Sequence, residues 1–133
     1  MEIIRKYGLD QVGSLDEACA RVQELRGRPL SVVDGDLGPG LSGMWLGYGN
    51  RDRIVVSSVH AMTRLHRQHI LAHELMHIVE ALDDPAQERH EGRREGYDDP
   101  TEQRVELLAS HLMMALARVG GAGDRLIALE TYR

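Results

Sequence analysis

Apolar residues recur along the first part of the chain at the spacing of an amphipathic helix. Leu15, Ala18 and Val22 lie three and four positions apart, and Ser14 precedes them as an N-cap residue. The chain then reaches a stretch rich in glycine and proline, which ends helices. The pattern predicts a helix over about 14–26.

A β region follows over about 30–58, where short apolar runs are separated by turn-forming residues. The three candidate strands are 30–33, 42–48 and 52–58. Asp, Gly, Pro and Asn residues lie between them, as in tight connections. We predict an α+β domain whose small sheet is mostly antiparallel.

Helical periodicity returns in the second half of the chain. It predicts one helix over about 63–82, with Thr63 as its N-cap, and another over about 101–119, with Thr101 as its N-cap. The polar segment 83–100 joins them, and its length suits either a mobile lid or a solvated loop. The hydrophobic pattern does not choose between those two interpretations.

The helix predicted over 63–82 contains the motif H-E-x-x-H, formed by His73, Glu74 and His77. Residues four apart lie one turn apart on the same helix face, so both imidazoles can bind one metal ion. Zn²⁺ lowers the pKa of its bound water to about 7, and a glutamate between the histidines can act as general base. A solvated, histidine-rich helix face without metal is the alternative.

A catalytic zinc usually has three protein ligands and one water molecule, so a third ligand must come from outside the motif. Glu102, Glu106 and His111 are the candidates on the following helix. Their spacing alone does not select one of them.

Composition and charge limit the other functions that this chain can have. Its 133 residues suit one domain, and the absence of Phe predicts an aliphatic core. The net charge of −5 and the lack of a basic stripe argue against nucleic-acid binding. No apolar run reaches membrane-spanning length and no signal peptide is evident, so we expect a cytoplasmic protein that does not bind membranes. Cys19 falls on the apolar helix face and is predicted to be buried.

Two stretches resemble the ImmA/IrrE family of metallo-endopeptidases, which are zincins of gluzincin-like type. Residues 67–77 are similar to the family's motif helix, and 102–114 are similar to its second signature, Glu-x-x-Ala-Asn-x-Phe-Ala-x-x-Leu-Leu-Met-Pro. This match places the ligand glutamate at Glu102. Val105 and Glu106 stand where the signature has Ala-Asn.

The resemblance implies a minimal zincin-like domain in which the sheet packs on the motif helix and the next helix carries the third ligand. It further implies a regulatory cut in a helix-turn-helix repressor of phage, mobile-element or stress genes, encoded beside the peptidase. Recognition of DNA would then belong to the repressor.

The predicted mechanism uses His73, His77 and Glu102 to hold Zn²⁺, or Mn²⁺, which accepts similar ligands. Glu74 is the predicted base. Further side chains are candidates for contacts with the substrate or its oxyanion: His66, His69, Trp45 and Tyr48. The strand over 42–48 is the candidate edge for binding an extended peptide.

A non-enzymatic module is the main alternative. Such a protein would sequester a repressor, or belong to a toxin–antitoxin pair, and its metal would be structural. The intact Glu74 argues against this alternative, because a structural metal site does not need a base at that position.

Overall fold

The computed structural model describes residues 2–59, 63–85 and 99–120, and within them the protein is an α+β fold with a small three-stranded sheet. Its elements in chain order are α1 Glu2–Lys6, α2 Leu15–Arg26, β1 Leu30–Gly35, β2 Gly43–Gly47, β3 Asp52–Ser57, α3 Arg64–Asp83 and α4 Asp99–Gly120. Most of the segment predicted as a lid or solvated loop, 83–100, lies outside the described residues.

The sheet is mixed, which corrects the expectation of a mostly antiparallel one. Its strand order is β1-β3-β2, with β3 parallel to β1 and antiparallel to β2. The connection 36–42 carries the chain past the position of β3, across about 10 Å, and β3 then returns between the other two strands. Hydrophobic alternation predicts strands but does not fix their spatial order.

Side-chain hydrogen bonds define where α2 and α3 begin. The Ser14 hydroxyl accepts a hydrogen bond from the Glu17 backbone N–H at 3.1 Å. The Thr63 hydroxyl accepts one from the His66 backbone N–H at 3.0 Å. Each bond satisfies an N–H group that the first turn leaves without a helical partner. The motif helix therefore begins at a fixed residue.

Thr101 is not the N-cap predicted for the last helix. α4 begins at Asp99, so Pro100 occupies its first turn and Thr101 is already a buried helical residue. Proline is tolerated there because a backbone N–H in the first turn has no helical acceptor.

α3 lies at the centre of the molecule and packs against the sheet, α2 and α4. Its Leu71, Leu75 and Ile78 are buried with Ile54 and Val56 of β3 in an aliphatic core. Cys19 packs against this core, and burial raises the pKa of its thiol to about 11. A thiol that stays protonated at neutral pH fits packing rather than nucleophilic chemistry.

A buried ion cluster ties the sheet to the end of α2. The carboxylate of Asp52 is 1% exposed and accepts hydrogen bonds from the guanidinium groups of Arg26 and Arg28 at 2.9 to 3.1 Å. The indole N–H of Trp45 donates to the same carboxylate at 3.0 Å. One aspartate of β3 thus joins the end of α2, the connection from α2 to β1, and strand β2.

Candidate metal centre

The motif helix brings two imidazoles together on the side that faces α4. The ring centroids of His73 and His77 lie 5.1 Å apart with an interplanar angle of 71°. The His77 side chain is 3% exposed and that of His73 is 16% exposed. His77 is therefore buried and His73 is mostly buried, so the two rings do not form a solvated helix face.

The neighbouring helix α4 runs antiparallel to α3 and adds a carboxylate to the pair. Glu102 Oε1 lies 2.7 Å from His77 Nε2, and its Oε2 lies 3.5 Å from His73 Nε2. Ligand atoms of His73, His77 and Glu102 all lie within 4.8 Å of one another. Two imidazole nitrogens and one carboxylate oxygen are a donor set found at catalytic zinc sites.

One carboxylate oxygen in this group is left without a hydrogen bond. Glu102 Oε1 is shielded from solvent and has no hydrogen-bond partner in the described part of the chain, although His77 Nε2 is only 2.7 Å away. The two atoms are within hydrogen-bonding distance but do not form a hydrogen bond in this geometry. A shielded acceptor without a hydrogen bond is unfavourable, and a cation bound by both atoms, after they move slightly apart, would compensate it. The three residues therefore fit a divalent metal ion.

A second ion pair holds α4 in register with α3 beside these residues. The Arg104 guanidinium donates to both oxygens of Glu80, at 2.5 and 2.9 Å, and contacts the Thr101 hydroxyl at 3.4 Å. Glu80 is buried and lies one turn beyond His77 on α3. This pair fixes the position of the α4 turn that carries Glu102.

Glu106, the alternative third ligand, contacts the outer side of the histidine pair. Its Oε2 lies 2.8 Å from His73 Nδ1, and its Oε1 lies 2.5 Å from His69 Nε2. Partial burial opposes ionisation of Glu106, but hydrogen bonds to His69 and His73 outweigh it and hold the pKa of this carboxyl below its ordinary value. The structure thus distinguishes the two glutamates, because only Glu102 joins the group of three possible ligands.

Glu74 follows His73 in the motif, is buried, and lies against strand β2. A Cβ atom placed on Gly43 would approach Glu74 Cγ at 3.0 Å and Oε2 at 3.2 Å. β2 pairs with β3 alone among the described strands, so it is an edge strand, as predicted for 42–48. The glutamate therefore lies on the same helix as the two histidines and contacts an edge strand of the sheet.

The absence of a side chain at Gly43 is what allows this close approach. We expect Gly43→Ala to lower stability by about 1–3 kcal/mol, because the new Cβ would lie 2.7 Å from Ile70 Cγ2 and would also press on Glu74. Urea unfolding measures the change. Gly35→Ala is the matched control, since its nearest contact would be 3.2 Å to Val55 Cγ1, and we expect a smaller loss. Equal losses would contradict this account.

The two aromatic residues predicted to line a substrate site do not lie there. Trp45 is 4% exposed and donates to the buried Asp52, so it is a core residue. Tyr48 lies in the turn after β2, under the Arg51 guanidinium. It is five residues beyond Gly43, roughly 16 Å along the strand at about 3.3 Å per residue. The sequence indicates that Tyr48 lies at the end of a strand, but it does not indicate which end of that strand lies near the motif helix.

The remaining histidine candidates lie at different distances from the centre. His69 is linked to it through Glu106. His66 is exposed in the first turn of α3, about 10 Å along the helix axis from His73. His111, the remaining candidate for the third ligand position, lies about 13 Å along α4 from Glu102. The structure therefore brings neither His66 nor His111 to the group.

An open groove of about 520 Å³ runs from the ligand group along α4. Its lining residues are His73, Glu102, Gln103, Glu106, Leu107 and Ser110. The exposed Leu107 makes part of its wall apolar. The groove has room for a side chain of a bound peptide next to the candidate metal position.

Comparisons with known proteins found no matching family model, no significantly similar curated protein and no significantly similar solved structure. Among the helices that the structure describes, none is both long enough and apolar enough to cross a bilayer.

Proposed function

We propose that this protein is a zinc-dependent endopeptidase of minimal, zincin-like type that makes a limited cut in a protein partner. One observation carries the proposal. Donor atoms of His73, His77 and Glu102 converge within 4.8 Å, and the buried Glu74 lies between the two histidines in sequence and against an edge strand. A structural metal site would account for the three ligands but not for this glutamate.

The ligand set favours Zn²⁺, and it also accepts Mn²⁺. When bound, the metal would lower the pKa of a water molecule and polarise the carbonyl of the scissile bond. The side chains that hold it come from two helices whose register the Glu80–Arg104 pair fixes. Zinc binding should therefore depend on the packing of α4 against α3 as well as on the motif.

Glu74 is the general base in this proposal. Its carboxylate accepts a proton from the attacking water molecule and passes that proton to the leaving amine. Burial between α3 and β2 keeps the side chain in one position, because the approach of Gly43 leaves it little space. Positioning of this kind is a large part of what an active site contributes to a rate.

The substrate segment binds in extended form along the outer edge of β2. An edge strand offers unpaired backbone groups to an added strand, and Glu74 lies directly against its first residue, Gly43. The groove beside Leu107 then accepts one side chain near the scissile bond. The substrate must present an unfolded or loosened segment, since a folded helix cannot pair with a strand edge.

The proposed partner is a helix-turn-helix repressor encoded beside the gene. This part of the proposal comes from the resemblance of 67–77 and 102–114 to the ImmA/IrrE signatures. The net charge of −5 is consistent with a protein that leaves DNA binding to its partner.

A cleavage assay with metal removal tests the proposal. The purified protein is mixed with the neighbouring regulator, with and without chelator, and zinc is then restored. We expect one cut, which stops in chelator and returns with zinc, because the chelator removes the ion that His73, His77 and Glu102 would hold. Tight binding of the regulator without a cut, unchanged by chelator, would contradict the proposal and favour the sequestering module.

A further inference from the structure

The carboxylate of Glu106 links two histidines of α3 that lie one helical turn apart. Its two oxygens lie 2.5 Å from His69 Nε2 and 2.8 Å from His73 Nδ1. The three side chains thus form a continuous hydrogen-bonded chain. One end is half-exposed at His69, and the other end is a ring of the candidate metal centre.

The two nitrogens of His73 face different partners. Nδ1 faces Glu106, whereas Nε2 faces Glu102 at 3.5 Å, on the side where the possible ligand atoms converge. A neutral imidazole carries one N–H, and an ionised carboxylate can only accept a hydrogen bond. With the proton on Nδ1, the lone pair of Nε2 is directed to the metal position.

His73 depends on such a contact more than His77 does. The His77 side chain is 3% exposed and is held by the packing around it, whereas His73 is 16% exposed and lines the open groove. A ring at the side of a groove can rotate about its Cβ–Cγ bond unless a hydrogen bond holds it. The contact with Glu106 supplies this constraint for the outer ligand.

We propose that Glu106 is a positioning residue that holds His73 in the Nδ1–H tautomer with Nε2 directed to the metal, and that His69 in turn holds Glu106. Glu106 is itself about half exposed, so its side chain would sample several rotamers without the second contact. The inference rests on the metal site of the proposed function, but it does not depend on peptide-bond hydrolysis.

Zinc affinity of the purified protein, measured by competition with a chelating dye, is the first test. We expect Glu106→Ala to weaken zinc binding by about 10- to 100-fold, the usual effect of losing a hydrogen bond to a ligating histidine. Glu106→Gln should lose less zinc affinity than Glu106→Ala, because the amide oxygen can still accept a hydrogen bond from the Nδ1–H of His73. A loss in Glu106→Ala as large as that in Glu102→Ala would overturn the inference and make Glu106 a ligand.

His69→Ala tests the second link of the chain. We expect a smaller loss of zinc affinity than in Glu106→Ala, and no further loss when His69→Ala is added to Glu106→Ala, because His69 acts through Glu106. Met114→Ala, an exposed position farther along α4, is the control and should leave zinc affinity unchanged. Additive losses in the double variant would overturn the assignment of His69.

The tautomer of His73 in the metal-free protein is the second readout, and a purely structural role would not change it. Long-range ¹H–¹⁵N spectra of neutral imidazoles should give the Nδ1–H form for His73 in the wild type and a shift towards Nε2–H in Glu106→Ala. An unchanged tautomer would overturn the inference even if zinc affinity fell. If the wild type gave the expected tautomer but bound no zinc, the proposed function would fail and the hydrogen-bond assignment would stand.

Discussion

Replacing Glu74 with Gln should lower the rate of partner cleavage by about 10²- to 10⁴-fold, the range that general acid–base catalysis contributes. Gln has the shape of Glu and fits the same buried space between α3 and β2, but its amide cannot accept the proton of the attacking water. Because Glu74 is absent from the group of possible ligands, zinc affinity should stay within a few-fold of the wild type.

Two measurements on the same samples separate these effects, namely the rate of partner cleavage and zinc affinity by chelator competition. His77→Ala serves as the control, since it removes a ligand and should lose both zinc and activity. If Glu74→Gln cleaved at the wild-type rate, Glu74 would not be the base. If it lost zinc as His77→Ala does, the observed inactivity would say nothing about proton transfer.

Replacing Asp52 with Ala should reduce the free energy of unfolding by about 3–5 kcal/mol. The substitution removes the buried carboxylate that accepts from both Arg26 and Arg28, whose side chains are 7% and 17% exposed. Breaking a buried ion pair by removing one member is strongly destabilising, because the desolvation of the remaining charge is then less well compensated. Trp45 loses its acceptor in the same variant. Since domains of this size are stable by about 5–15 kcal/mol, the loss would be a substantial fraction of the total free energy of unfolding.

Urea unfolding monitored by far-UV circular dichroism measures this loss. Asp34→Ala is the matched control, because Asp34 also bonds to an arginine, Arg67 at 2.9 Å, but its side chain is 57% exposed. Surface ion pairs contribute about 0–1 kcal/mol, so the control should unfold close to the wild type. Similar midpoints for the two variants would show that burial does not set the strength of the Asp52 cluster.

Helix positions and the motif were predictable because their signals are local. Ser14 and Thr63 bind backbone N–H groups within three residues of themselves, and the bounds of α2 and α3 follow from them. α4 begins two residues earlier than its predicted cap, because Pro100 fits the first turn of a helix as well as the position before it.

The roles of Trp45 and Gly43 were not predictable in the same way. An aromatic residue on a strand suits either a binding site or a core, and only the position of Asp52 beside Trp45 decides for the core. A glycine inside a strand can signal the close approach of another group. The sequence did not reveal that this group would be Glu74.

The spacing of Glu102 and Glu106 in the sequence also indicates how they could meet the histidines. The two glutamates are four residues apart on α4, as His69 and His73 are on α3. Two such pairs on adjacent antiparallel helices can bond across the interface, and the contacts of Glu106 with both histidines are the result. The two glutamates need not compete for one position, because Glu106 Oε2 faces Nδ1 of His73 whereas Glu102 Oε2 faces its Nε2.

By itself, the sequence determined that the two motif histidines lie on the same face of one helix, with a glutamate next to the first of them. Residues four apart on a helix share a face whatever surrounds that helix. The sequence also determined an aliphatic α+β domain. The spacing of the residues left Glu102, Glu106 and His111 open, and only the tertiary structure shows Glu102 beside both histidines and Glu106 against Nδ1 of His73. Those contacts depend on how α4 packs on α3, and the pairing of Glu80 with Arg104 fixes that register across residues far apart in the chain.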